Sequence, residues 1–228
     1  MSHGQLDNAV VRPHDVHIRY RATESLDTAA IAAAASQLAP DEHEQYERFH
    51  DPHDARDYAC AHALLRTTLS LESDREAADA AGISFSLAHA RGMVACAGTD
   101  APAVGIDVES VDRDVDANRI AGRFFAPVEA AHLDQLDGDA RRDRFFDLWT
   151  LKEALVKALG VGMAAALDRL AFTVGPDGRV RLDAPDVETG VWLFGLFAPG
   201  PRHRLAVAVR RSGTVPAHLI FRSPAVAG

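Results

Sequence analysis

Gly105-Ile106-Asp107-Val108-Glu109 and Trp149-Thr150-Leu151-Lys152-Glu153-Ala154-Leu155-Val156-Lys157 are the two stretches that decide how this 228-residue chain is read. The first alternates as a strand does. Side chains in a strand point to opposite faces with a period of two, so Asp107 and Glu109 share one face while Ile106 and Val108 take the other. Two carboxylates about 4 Å apart at an effective dielectric of about 20 repel by roughly 4 kcal/mol. A cation, a proton or full solvation must offset that. Alone, the pair reads as a solvated edge strand. The second stretch is helical. Glu153 and Lys157 are four apart and share a face, with Trp149 one turn earlier. Alone, they read as a surface ion pair worth about 0.3–0.5 kcal/mol.

Outward from this pair, the chain alternates helices and short strands. A strand is expected over 16–20, helices over 26–38 and 40–49, and a longer helix opened by Pro52 and Asp54 and running to 71. Asp54 is read as its cap, and Ala55, Ala59, His62, Leu65 and Leu69 as its apolar face. Strands follow over 83–87 and 93–97, joined by a turn at 90–92, then a third over 104–108. Helices are expected over 118–125, 128–136 and 141–159, the last ended near Gly160 and Gly162. Pro176-Asp177-Gly178 marks a hairpin between strands at 170–174 and 179–182. Strands at 192–197 and 205–209 close the series. The order implies an α+β fold of two pseudo-symmetric lobes, each a long helix on a small antiparallel sheet, divided as residues 1–104 and 105–228.

Composition narrows the class. At 47% hydrophobic and 25% charged residues, the chain can bury a real core. No apolar run approaches a membrane span, and Met1 to Asn8 lacks the apolar centre of a secretory signal. Cys60 and Cys96 sit in apolar stretches and read as buried free thiols, which suits a reducing cytoplasm. The net charge of −9 makes a poor nucleic-acid binder. The charge is uneven: 8 basic against 16 acidic residues in 1–104, and 16 against 17 beyond. Only Lys152 and Lys157 among the 24 basic residues are lysine. A compact ammonium at both places is a functional alternative to coding bias toward arginine.

Taken together, the two stretches resemble the paired motifs of the Sfp-type (surfactin-type) 4′-phosphopantetheinyl transferases, G-[IV]-D-x-E and W-x-x-K-E-[AS]-x-x-K, at the same separation. Gly160-Val161-Gly162-Met163 resembles the family's glycine stretch after that helix. Phe85-Ser86-Leu87-Ala88-His89, with Met93 to Ala97 after it, resembles F-N-[LI]-S-H and its following strand. The likeness covers roughly residues 40–210. It implies the two-lobed transferase fold, with coenzyme A as co-substrate between the lobes and an apo acyl or peptidyl carrier protein as partner. Asp107, Glu109 and Glu153 are then the Mg²⁺ ligands. Glu153, Lys157 and His89 are the catalytic candidates. Lys152, His89, Arg48 and Arg56 are candidates for holding coenzyme A. A monomer in the cytoplasm, free of membrane and nucleic acid, is expected.

The sequence departs from the family in three places. Ser86 and Ala88 replace the usual Asn and Ser or Thr. No G-K-P loop stands between the long helix and Phe85. Glu42 and Gln45 occupy positions where lysines often hold the 3′-phosphate. These departures imply weaker or rearranged coenzyme A binding, and they leave open a carrier-binding homologue impaired in catalysis. Arg119, Arg123, Phe124 and Phe125 offer a mixed basic and apolar carrier contact; core packing of the two phenylalanines is the equal alternative. His50-Asp51-Pro52-His53-Asp54 superficially resembles the His-Asp dyad of a metal-dependent phosphohydrolase, but a helix start with a proline and a cap accounts for it better.

Overall fold

The computed structural model describes residues 14–69, 82–161, 166–213 and 215–222. The segment expected to lack a G-K-P loop falls largely in 70–81, and Gly162-Met163 lies in 162–165; both are outside the described residues. The chain begins with β1 (His14–Ala22), α1 (Thr28–Ala35), α2 (Pro40–Glu47) and α3 (Pro52–Leu69), then β2 (Ser84–Ala90) and β3 (Met93–Thr99). It continues through β4 (Ala103–Ser110), α4 (Ala117–Phe124), α5 (Pro127–Leu133) and α6 (Gly138–Leu159). The strands β5 (Ala171–Val174), β6 (Val180–Asp183), β7 (Trp192–Gly200), β8 (His203–Arg210) and β9 (Ala217–Phe221) follow.

The two halves repeat one topology. In the first, β1 and β2 both pair antiparallel with β3; in the second, β4 and β7 both pair antiparallel with β8. This is the expected α+β arrangement of two similar lobes. One feature breaks the symmetry: β9 runs parallel to β1 and adds a fourth strand to the first sheet. The last part of the C-terminal half thus completes the N-terminal sheet.

Strand alternation explains how the layers stack. Leu205, Val207 and Val209 of β8 join Ile106 and Val108 of β4 and Val16 and Ile18 of β1 in one core between the two sheets. Ala206 and Ala208 face the other way, into a core with Leu151, Ala154 and Leu155 of α6. On the outer face of the first sheet, Val94 and Cys96 meet Ala59, Leu64 and Leu65 of α3. The order of layers is therefore helices, sheet, sheet, helix. Cys60 and Cys96 are free and buried, as expected.

Gly105 permits the close approach of α6 to β4. A Cβ there would lie 1.9 Å from the Ala154 carbonyl oxygen and 2.6 Å from the Ala158 nitrogen. That contact sets the depth at which α6 presents its next turns to Asp107 and Glu109. α6 ends at Gly160, whose φ of 68° is the left-handed conformation glycine adopts without a Cβ penalty. The cap of α3 is a correction. Asp51 Oδ1 accepts from the His53 nitrogen at 2.8 Å, so Asp51 caps the helix, and Asp54 lies in its first turn.

Candidate active site

Asp107 and Glu109 lie on the face of β4 that α6 covers. Asp107 is 7% exposed. Its Oδ1 accepts from Lys157 Nζ at 2.8 Å, while its Oδ2 is buried without a hydrogen-bond partner. Lys157 Nζ also donates to the carbonyls of Ile106 at 3.1 Å and Leu87 at 3.3 Å, so one ammonium reaches both lobes. Glu109 Oε1 accepts from Trp149 Nε1 at 2.9 Å and from Arg113 Nη1 at 2.8 Å. Trp149, Glu153 and Lys157 thus share the face the helical spacing predicts.

The electrostatics follow from this crowding. Burial pushes the Asp107 carboxyl up to about 7. The Lys157 ammonium opposes that, and Glu109 and Glu153 add to it. Desolvation outweighs the ion pair, so a proton or a further cation would stabilise this carboxyl. Burial also raises Glu153; Lys157 pulls it back and Glu109 pushes it further.

Beside these groups runs a cleft of about 590 Å³ with walls from both lobes. Phe49, Asp54, His89 and Arg91 line one side; Asp107, Glu109, Asp112, Arg113 and Asp114 line the other. The lining carries five carboxylates against two arginines and His89, so a pyrophosphate entering it would need added positive charge. His89 keeps water-accessible surface at this open cleft, yet the protein mass around it lowers its pKa; Asp57 raises it in part and Lys157 lowers it further.

Among the described residues, no three His, Cys, Asp or Glu side chains converge closely enough to hold a metal ion. As placed, Lys157 serves Asp107, while Trp149 and Arg113 serve Glu109. The donor set nevertheless suits a hard divalent cation, which takes oxygen ligands. Asp107 Oδ2 is buried and has no partner among the described residues, and the neighbouring carboxylates raise both Asp107 and Glu153.

The structure places the remaining candidates elsewhere. Lys152 is a correction. Its ammonium is 0% exposed, sits 2.7 Å from Glu129, and donates to the carbonyls of Leu167 at 2.8 Å and Leu170. Glu129 in turn accepts from the Ala126 and Phe172 nitrogens at 2.8 and 2.7 Å. Lys152 is therefore the centre of a closed polar network inside the C-terminal lobe and has no route to a phosphate. Arg48 is exposed at the end of α2, 3.8 Å from Glu44, and does not line the cleft. Arg56 donates to Asp57 Oδ1 at 2.8 Å and has a buried Nη2 without a partner.

The family departures have structural explanations too. Glu42 is buried, 2.6 Å from Arg66, and accepts from the Ala39 nitrogen at 2.9 Å, so it fastens α2 to α3. Ser86 Oγ accepts from the Ile106 nitrogen at 3.1 Å and ties β2 to β4 across the lobes. Ala88 is buried in the core between the sheets. Phe125 is a core residue, stacked on Phe145. Phe124 is half-buried against Trp149 with the exposed Arg123 guanidinium 4.9 Å above its ring. The His50–Asp54 run is the start of α3. Sequence reasoning missed Arg113 and Asp57. Asp57 is buried and accepts from Thr23 Oγ1 and, at 2.9 Å, from the Gly92 nitrogen; its nonlocal partners gave no signal in the sequence.

The lobed fold with a strand-borne carboxylate pair facing a Glu–Lys helix defines a class. Residues 103–209 match the model of the 4′-phosphopantetheinyl transferase superfamily. The motifs read at 105–109 and 149–157 both lie within that match. It is 26% identical over 187 residues to 4′-phosphopantetheinyl transferase Sfp of Bacillus subtilis, covering 75% of this chain and 82% of that protein. It is 26% identical over 229 residues to 4′-phosphopantetheinyl transferase HetI of Nostoc sp., covering 92% and 93%. Among solved structures, holo-[acyl-carrier-protein] synthase of Thermotoga maritima is 26% identical with a TM-score of 0.39, covering 48% of this chain and 62% of that one.

Proposed function

We propose that this protein transfers 4′-phosphopantetheine from coenzyme A to a serine of an apo acyl or peptidyl carrier protein, releasing 3′,5′-ADP. The observation that carries the reading is the meeting of Asp107, Glu109, Glu153 and Lys157 beside a cleft walled by both lobes. Residues 1–104 and 105–228 are taken as the two lobes, with the substrate between them.

Asp107, Glu109 and Glu153 would hold Mg²⁺. When bound, the ion supplies positive charge to the pyrophosphate oxygens. Glu153, whose carboxyl burial shifts upward, accepts the proton of the carrier serine. The serine oxygen forms a bond to the β-phosphorus as the bond between that phosphorus and the bridging oxygen breaks, and the electron pair leaves with 3′,5′-ADP. Lys157 places its ammonium by that leaving phosphate, and His89 donates to the pyrophosphate from the opposite wall. Arg113 and Trp149 hold Glu109 in place. Positioning and charge neutralisation carry most of the acceleration, as in phosphoryl transfers generally.

Arg56 is the remaining candidate for the 3′-phosphate, through its unpartnered Nη2. Arg123, exposed above Phe124, is the candidate carrier contact. The free thiols suit a reducing cytoplasm, the acidic charge disfavours nucleic acid, and two lobes in one chain suit a monomer. Among the described residues, no helix is long and apolar enough to cross a membrane.

Mass spectrometry of several apo carriers incubated with coenzyme A and Mg²⁺ tests the function. The carrier serine gains phosphopantetheine with the native protein and stays unmodified with Glu153→Ala. No modification of any carrier by the native protein would favour a non-catalytic carrier-binding role. Titration with coenzyme A and dephospho-coenzyme A tests the nucleotide end: weak dependence on the 3′-phosphate is expected, because the lysine positions are Glu42 and Gln45.

A further inference from the structure

The helix-covered face of β1 carries charge where an apolar side chain is the usual occupant. Val16 and Ile18 enter the core between the sheets, so Arg19 and Arg21 project to the opposite face, under α1 and α3. Arg19 Nε and Nη1 are shut off from solvent and have no acceptor among the described residues. A buried donor left unsatisfied costs about 1–3 kcal/mol, and more when charged. Both arginines line a cavity of about 240 Å³ whose other walls include Leu26, Ala30, Ala33, Ala34, Ala63 and Leu64. Among the described residues, no Asp or Glu lines it, and it shares no lining residue with the cleft. The thiols nearest the arginines do not supply the missing charge: burial raises the pKa of both Cys60 and Cys96 and keeps them neutral.

We propose that this cavity binds a small amphipathic anion, a carboxylate or phosphate head on a short apolar chain, with the head on Arg19 and Arg21 and the chain along the alanines of α1. The head supplies the acceptor that Arg19 lacks, and charge-assisted hydrogen bonds of this kind are among the strong ones. The small, mostly apolar remainder of the cavity takes a short chain. Its volume lies below the roughly 300 Å³ at which pockets for drug-sized ligands begin, which excludes coenzyme A as the occupant.

Calorimetric titration of the full chain with octanoate, octyl phosphate, octanol and octylammonium tests this. One or both anions should bind one per chain, at least about tenfold more tightly than the alcohol or the cation. Whichever anion binds tighter identifies the head group. Arg19→Met should abolish that binding while holding or raising the melting temperature, since it removes two buried N–H groups that lack acceptors. Ala33→Trp, which fills the chain end and keeps both arginines, should abolish it too. Octanol binding as tightly as both anions, no anion binding at all, or unchanged affinity in folded Arg19→Met would overturn the assignment.

Discussion

The two lobes share a topology and differ in what their first strands turn toward the covering helices. In the C-terminal lobe, β4 presents Asp107 and Glu109, and α6 answers with Lys157 and Trp149. In the N-terminal lobe, β1 presents Arg19 and Arg21, and α3 offers no carboxylate among the residues lining that cavity. One scaffold thus turns charges of opposite sign toward its helices from corresponding strands. A buried charge whose partners are complete, as Lys152 is, belongs to the fold. One that keeps an unmet oxygen or N–H, as Asp107 and Arg19 do, marks a place where something from outside completes the set.

The strongest way to break this comparison is to change one charge of each kind. Glu153→Gln should lower the rate of carrier modification by about 10²–10⁴-fold, the usual contribution of a positioned base, with little change in melting temperature. Arg19→Met should leave that rate unaltered. Equal effects of the two on transfer would erase the distinction between the lobes.

Lys152→Met should act on stability instead. It strands the Glu129 carboxylate in the core, and breaking a buried pair costs about 3–5 kcal/mol. Adding Glu129→Gln should restore part of that loss in denaturant unfolding. Protein that folds should show a near-native KM for coenzyme A. A KM rise without a stability loss would return Lys152 to the phosphate site.

Gly105→Ala sharpens the comparison at the level of backbone. The new methyl meets the backbone of α6, and overpacking of this kind costs about 1–3 kcal/mol. Carrier modification should fall as well, because the helix that carries Glu153 and Lys157 is pushed away.

The smallest effect concerns pH. His89 is lowered on folding, so below the ordinary histidine value of about 6.5 the unfolded chain binds a proton that the native one refuses. Its contribution is complete above that value and is lost as pH falls through it toward the folded pKa. Melting temperature should therefore drop on the acid side, and His89→Gln should flatten that part of the profile.

Much of this could be read before any coordinates. The alternation of 105–109 set the two carboxylates on one face, and the i, i+4 spacing set Glu153 with Lys157. Where Lys152 then went could not be read, because its partners are carbonyls of residues 167 and 170 and a carboxylate on α5. The cap was misassigned because Asp51 and Asp54 flank the same proline and both suit the role. Gly105 matched a motif, but its physical reason is a helix forty-nine residues further along the chain touching its α-carbon. The arginines of β1 gave no signal, since alternating His17, Arg19 and Arg21 look like the wet side of an ordinary strand.

The parallel pairing of β9 with β1 has a consequence for biosynthesis. As the chain leaves the ribosome, β1 appears first of all the described elements and its outer neighbour last. Until then β1 offers a row of free amides and carbonyls to any passing strand, the situation in which sheets join between molecules. The nascent protein therefore depends on the late arrival of β9 for protection against self-association.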